Sequence, residues 1–173
     1  GYPSHNGSNL LRNTTYTRNS SMVDRLNAAG LVTFGRTTSP EGGIGVATEA
    51  AVYGGPTRNP WNLAMTPGGS TGGGGAALAA GTTTLINGTD IGGSIRVPAA
   101  LNGVVGYKPP YGRNPEDPPW NLETYTHIGP MARTVSDTIF LQNIMSGPSL
   151  NDIASLKPKL VLPTEYPSVM GMR

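Results

Sequence analysis

The 173-residue chain contains no cysteine. That absence removes a disulfide framework, a thiolate metal site and a cysteine nucleophile together, and it fits a reducing, cytoplasmic setting. Charge is also scarce. Asp, Glu, Lys and Arg make up 13% of the residues, the net charge is +2, and no block of like charge occurs. The pI of about 9.1 reflects a small excess of arginine over carboxylate rather than a basic patch, so neither a nucleic-acid arm nor a polyelectrolyte tail is expected. No apolar run approaches the roughly 18 residues that a membrane helix needs. The opening Gly1-Tyr2-Pro3 lacks the charged start and apolar core of a signal peptide. Histidine is limited to His5 and His127, each read as a loop or satisfied surface residue. No metal-ligand spacing is visible, and no metal or cofactor is expected.

Glycine (25) and proline (16) are in excess, together about a quarter of the chain against roughly 12% in an average protein. The glycines follow no three-residue period, and 36% hydrophobic residues argue against disorder. Periodicity gives an α/β reading. Ser20-Ser21 opens an amphipathic stretch with Met22, Val23, Leu26 and Ala29 on one face and Gly30 as its stop. Leu31–Phe34 reads as a short strand, and the Ala-Ala-Leu-Ala-Ala run after Gly75 as a small-sided helix. Thr82–Ile86 and Val104–Tyr107 are β-prone, and residues 36–69 read mostly as loop. The clearest helix runs from Thr134 to Ser146, with Thr134 as N-cap, Asp137 at the capping-box position and Gly147-Pro148 as its stop. Helices alternating closely with strands suggest an α/β layer.

Two segments carry the chemistry: Gly68-Gly69-Ser70-Thr71-Gly72-Gly73-Gly74-Gly75, and Gly88-Thr89-Asp90-Ile91-Gly92-Gly93-Ser94-Ile95-Arg96. Such glycine density bends the backbone sharply and brings its N–H groups close to a ligand. Phosphate binding fits poorly. The P-loop needs Lys-Ser/Thr after its last glycine, whereas Gly75 is followed by Ala76-Ala77; the dinucleotide fingerprint also fails, and Asp90 would repel a phosphate. Acyl chemistry fits better, because a serine on a glycine turn is exposed and surrounded by N–H donors, as a nucleophile and its oxyanion hole require. With neither histidine in a diagnostic setting, such a serine needs a lysine or another activated group as base.

These segments resemble the amidase signature family of serine hydrolases. The resemblance covers almost the whole chain: Val23-Asp24-Arg25-Leu26, Gly55 to Trp61, Pro67 to Ser70, Gly88 to Arg96, Gly103-Val104-Val105-Gly106-Tyr107-Lys108-Pro109 and Gly129 to Val135. The Gly-Thr-Asp-x-Gly-Gly-Ser-x-Arg turn, with Ser94 placed 24 residues after Ser70, is the most specific part. The resemblance implies a partial amidase-signature fold in the α/β class, a mixed β-sheet flanked by helices, and a Ser–cis-Ser–Lys triad. It implies Ser94 as nucleophile, Ser70 as the bridging serine after a cis peptide bond, and the N–H groups of Ile91, Gly92, Gly93 and Ser94 as the oxyanion hole. Thr71, standing where the family more often has a second serine, Asp90 and Arg96 are implied as supporting residues, the last two pinning the turn.

The family's lysine is not found. Residues 1–107 contain no lysine, Lys108 belongs to the Gly-Tyr-Lys-Pro segment with a structural role expected, and Lys157 and Lys159 fall in a linker. Residues 1–147 therefore read as the core portion of one domain, and 148–173 as a linker and the start of a next strand at Val169–Arg173, the domain being incomplete at both ends. The implied function is hydrolysis of a carboxylic amide C–N bond in a small-molecule substrate, with this piece alone inactive. The alternatives are a glutaminase or amidotransferase A-type subunit, the one case in which nucleic acid is expected as a partner, and a non-catalytic amidase-like remnant. A homo-oligomer is left open. Tyr53, Trp61, Trp120 and Tyr125 are the aromatic candidates for a pocket, with packing the preferred role for the two tryptophans.

Overall fold

The computed structural model describes residues 3–165. Its helices are α1 (Ser21–Ala28), α2 (Gly72–Ala79), α3 (Arg96–Asn102) and α4 (Val135–Met145), and its strands are β1 (Leu85–Asp90), β2 (Val105–Gly106) and β3 (His127–Ala132). The strand order is β1-β3-β2. Both pairings are antiparallel, with Gly88 opposite Gly129 and Asp90 opposite His127, so β1 and β2 run in one direction with β3 between them.

Alternation along the strands sends apolar side chains to both faces. On one face Leu85 and Ile128 join Met22, Leu26, Leu141 and Met145 from α1 and α4. On the other, Ile86 and Met131 join Leu78, Ile95 and Ala99 from α2 and α3. The result is a helix–sheet–helix sandwich of the α/β class.

Helices α1 and α4 form where the sequence predicts them. The Ser20 hydroxyl accepts from the Val23 N–H, and the Thr134 hydroxyl from the Asp137 N–H, each cap contributing about 1 kcal/mol. Gly30, at φ 79°, ends α1; its N–H returns to the Asn27 carbonyl while that of Leu31 returns to Leu26, which satisfies the last turn's free acceptors. Arg25 then ties α1 to the end of α4 by donating to the Ser146 and Gly147 carbonyls at 2.9 and 3.0 Å.

Four expectations are revised. Leu31–Phe34 joins no sheet among the described residues; it lies across a groove of about 460 Å³ from Leu85 and Ile86 on the outer side of β1, so β-propensity has no ladder to satisfy it. Helix α2 begins at Gly72, ahead of the alanine run. Strand β1 starts at Leu85 and continues through Asn87-Gly88-Thr89-Asp90 into the glycine turn. Helix α3 was unexpected; its Pro98 sits in the first turn, where the missing N–H costs nothing.

The stretch read as a linker is tied down. Asp152, almost fully buried, accepts from the Glu116 N–H, and Asn143 exchanges hydrogen bonds with the backbone of Leu162. The strand start expected at Val169–Arg173 lies outside the described residues.

Candidate active site

Both glycine-rich turns converge at one end of β1. The peptide between Gly69 and Ser70 is cis, and Ser70 is buried at 5% exposure. Two buried contacts hold its turn, and Asn102 makes a third bond within its own helix. The Thr48 hydroxyl donates to the Gly68 carbonyl at 2.7 Å. Asn102, fully buried at the end of α3, donates through Nδ2 to the Pro67 and Pro98 carbonyls, both at 2.8 Å. Thr71 then packs across β1, so close that a Cβ on Gly88 would stand 2.7 Å from the Thr71 side chain.

The second turn is organised by Asp90, which is completely buried. Its Oδ1 accepts from the Gly93 N–H at 2.8 Å, Arg96 Nη2 at 2.9 Å and Lys108 Nζ at 3.2 Å. Its Oδ2 accepts from the N–H groups of Ile95 and Arg96 at 3.1 and 3.2 Å and from Arg96 Nε at 3.0 Å. Burial by itself would raise the Asp90 pKa. The hydrogen bonds from Arg96, Ile95 and Lys108 outweigh it and hold the carboxyl well below the usual carboxylate range. Arg96 is in turn raised by its bond to Asp90.

One bond joins the two turns: the Thr71 N–H donates to the Ser94 carbonyl at 3.1 Å. Ser94 is partly exposed, between the buried Gly93 and Ile95. Among the described residues, the N–H groups of Ile91, Gly92 and Ser94 have no acceptor. Gly93 departs from the expected set, because its N–H is committed to Asp90 Oδ1. A carboxylate at 2.8 Å occupies the donor that the resemblance assigns to an oxyanion.

Lys108 does not supply the missing base. Its ammonium donates to the carbonyls of Ile91 and Tyr125, both at 2.8 Å, and lies 3.2 Å from Asp90 Oδ1. All three of its donors are used, whereas a lysine acting as base must be neutral. Lys157 donates to the Tyr111 carbonyl at 3.1 Å. The histidines are also occupied. His5 Nδ1 accepts from the Gly7 N–H at 3.2 Å, and the ring nitrogens of His127 bond the Pro109 and Thr124 carbonyls at 2.7 and 3.0 Å. Among the described residues no group of three or more acidic or histidine side chains is placed to hold a metal ion.

Tyr53 packs edge-on against His5, with ring centroids 5.2 Å apart. Trp61 is 72% exposed, against the expectation of packing, with its indole N–H on the Asn102 carbonyl. Trp120 and Tyr125 are exposed as well. Sequence reasoning missed Thr48 and Asn102. The one available signal was Asn102-Gly103, the dipeptide of a helix end, in which Gly103 takes φ 67°.

Two serine turns dock at one sheet end, with unpaired N–H groups beside the outer serine among the described residues, the arrangement that a serine nucleophile and an oxyanion need. A family model described as Amidase matches residues 1–170. The chain is 42% identical to the A subunit of glutamyl-tRNA(Gln) amidotransferase from Mycobacterium ulcerans, over 98% of its own length and 33% of that protein's. Against the corresponding protein of Ralstonia pickettii it is 40% identical over 91% of its length and 32% of that protein's. Among solved structures, the A subunit of the Thermotoga maritima amidotransferase superposes with a TM-score of 0.84 at 36% identity, covering 93% of this chain and 36% of that one. A bacterial aryl acylamidase superposes with a TM-score of 0.81 at 36% identity, covering 87% and 32%. The chain belongs to the amidase signature family. It spans about a third of the length of the curated relatives it matches, and no helix among the described residues is long and apolar enough to cross a membrane.

Proposed function

We propose that this chain carries the nucleophile and bridging serine of an amide hydrolase that works through a serine acyl-enzyme. Ser70 passes its proton to a neutral lysine supplied from outside these 173 residues and takes one from Ser94. Ser94 Oγ forms a bond to the amide carbon, and the carbonyl electron pair moves to oxygen. The N–H groups of Ile91, Gly92 and Ser94 receive that oxyanion; each such donor is typically worth about 3 kcal/mol of barrier. Collapse of the adduct breaks the C–N bond; Ser70 gives its proton to the departing amine and takes back the proton that the lysine had received. Water then hydrolyses the acyl-serine ester. Asp90, Arg96 and Thr71 touch no reacting atom in this scheme and hold the turns in place.

The observation that carries the reading is the 3.1 Å bond from Thr71 N–H to the Ser94 carbonyl, because it fixes the nucleophile's turn against the residue that follows the bridging serine. The test is hydrolysis of p-nitroacetanilide and of glutamine by the full natural polypeptide carrying this chain. Ser94→Ala is expected to abolish turnover and Ser70→Ala to reduce it by at least about 10³-fold with folding preserved, given that serine and base act as one unit. Hydrolysis surviving Ser94→Ala would remove the nucleophile assignment.

The relatives named as amidotransferase A subunits favour a second reading, in which the same acyl chemistry serves glutamine within a complex. Co-elution with candidate partner subunits in gel filtration, together with preference for glutamine over the anilide, would select it.

A further inference from the structure

We propose that Lys108 is the positioning residue of the oxyanion-binding turn, acting by fixing the Ile91 carbonyl so that the Gly92 N–H faces the oxygen of the amide under attack. This rests on the serine acyl-enzyme reading above and adds a residue to it.

Lys108 stands two residues past β2, and the intervening Tyr107 N–H bonds the Pro130 carbonyl of β3 at 3.1 Å, so its stem starts beside the sheet rather than from a free loop. Its side chain is only 18% exposed. From there the ammonium meets two segments: Asp90 and Ile91, where β1 passes into the turn, and Tyr125, two residues before β3. Three acceptors match the three donors of an ammonium group.

The consequence for Gly92 follows from covalent geometry. The peptide linking Ile91 and Gly92 is planar and trans, so its C=O and N–H point in opposite directions. A carbonyl held at 2.8 Å by a charged donor fixes the plane, and the Gly92 N–H is thereby directed away from Lys108. That N–H has no acceptor among the described residues, and it lies between two others in the same state, those of Ile91 and Ser94. Gly92 has no side chain and a Cβ there would meet nothing within 4 Å, so local packing does not hold its peptide. Without Lys108 the plane is free to turn, and the Gly92 donor no longer has a fixed direction when charge develops.

A tie that served stability alone would leave the ratio of transition-state to ground-state binding unchanged. The proposal requires that ratio to fall. The test compares wild type, Lys108→Met and Ser94→Ala in the full natural polypeptide, with whichever of p-nitroacetanilide or glutamine the wild type hydrolyses. The second probe is the matching trifluoromethyl ketone, whose carbonyl carbon takes Ser94 Oγ and keeps its oxygen as an oxyanion while the serine proton passes to the base. Lys108→Met is expected to lower kcat about 100-fold, as loss of one oxyanion donor does, with KM within about threefold and ketone affinity falling in step with kcat. A kcat within about threefold of wild type, or a fall in kcat without a fall in ketone affinity, overturns the proposal. If Lys108→Met does not fold, Lys108→Gln replaces it; its amide is too short to reach Ile91 and Tyr125 together, and the same kcat-only loss is required. Turnover surviving Ser94→Ala would instead overturn the acyl-enzyme reading, so the two failures are distinct.

Discussion

Replacing Asp90 by Asn keeps the shape of the side chain and removes its charge. Each carboxylate oxygen accepts from three donors: Gly93 N–H, Arg96 Nη2 and Lys108 Nζ on Oδ1, and Ile95 N–H, Arg96 N–H and Arg96 Nε on Oδ2. Whichever oxygen becomes an NH2 group then faces three donors with a donor, at a site with no solvent exposure. Stranding buried donors costs about 1–3 kcal/mol each, but the exposed Arg96 side chain recovers most of its share from water. Breaking one partner of a buried ion pair costs about 3–5 kcal/mol in total, and the lower half of that range is expected here. The assay is urea unfolding of the full natural polypeptide from pH 7 to pH 3. The sign follows from the lowered pKa of Asp90. In the folded state the carboxyl stays ionised to lower pH than in the unfolded chain, where its pKa is about 3.9. Its contribution is therefore complete above about pH 5 and is lost as pH falls below about 4. The stability gap between wild type and Asp90→Asn should be widest at pH 7 and should narrow below pH 4. A gap under about 1 kcal/mol at pH 7, or one that does not change down to pH 3, would refute the reasoning.

Three further substitutions probe the fold around the site. Glu116 accepts from the Ile128 N–H at 2.7 Å; burial and the neighbouring carboxylates Asp152, Glu123 and Asp117 together push it up to about 7 against that bond. The folded state therefore binds more protons than the unfolded state between about pH 4.5 and 7, and stability falls as pH rises through that window, by at most about 3 kcal/mol. Glu116→Gln should flatten that slope in urea midpoints measured from pH 5 to 8, and parallel profiles would contradict the assignment. Gly73→Ala places a Cβ against the carbonyl and hydroxyl oxygens of Thr38 and 2.6 Å from its N–H. It should cost at least about 3 kcal/mol in the same assay, overpacking against backbone being hard to relax. Gly30→Ala, at φ 79° with open space around it, should cost only about 1 kcal/mol.

Sequence periodicity exposed the elements whose signals are local. Helices α1 and α4 have apolar stripes and hydroxyl caps at Ser20 and Thr134, and both form as read. It failed where tertiary contact decides. Asn87-Gly88-Thr89-Asp90 holds poor strand formers, yet it pairs with His127–Pro130 because β3 supplies the ladder. Leu31–Phe34 has good strand formers and no partner among the described residues. At the site, the glycine turns and Ser94 were legible because a chain rarely needs so many free N–H groups in one place, while the role of Ser70 came only from the family resemblance. Of the side chains that hold those turns, Asp90 and Arg96 were implied by the resemblance and Lys108 was expected to be structural, whereas Thr48 and Asn102 were not foreseen. They reach carbonyls 20 and 35 residues away in sequence, and no periodicity marks such a contact.

The four glycines of α2 show how fold and site depend on one another. Glycine is a poor helix former, less favourable than alanine by about 1 kcal/mol per position, so Gly72-Gly73-Gly74-Gly75 opposes the helix it starts. Packing explains the choice. A Cβ on Gly72 would overlap the Thr48 hydroxyl, one on Gly74 would stand 2.8 Å from Ile86, and one on Gly75 would stand 2.7 Å from Asn102 Nδ2. Those neighbours are the residues that hold the Ser70 turn or belong to the strand beneath it: Thr48 grips the Gly68 carbonyl, Asn102 grips that of Pro67, and Ile86 lies in β1. Side chains on α2 would push the helix off the sheet and carry Ser70 and Thr71, at its start, away from β1 and the Ser94 carbonyl. The glycine run thus gives up helix propensity for a close approach that brings two distant serine turns within one hydrogen bond of each other.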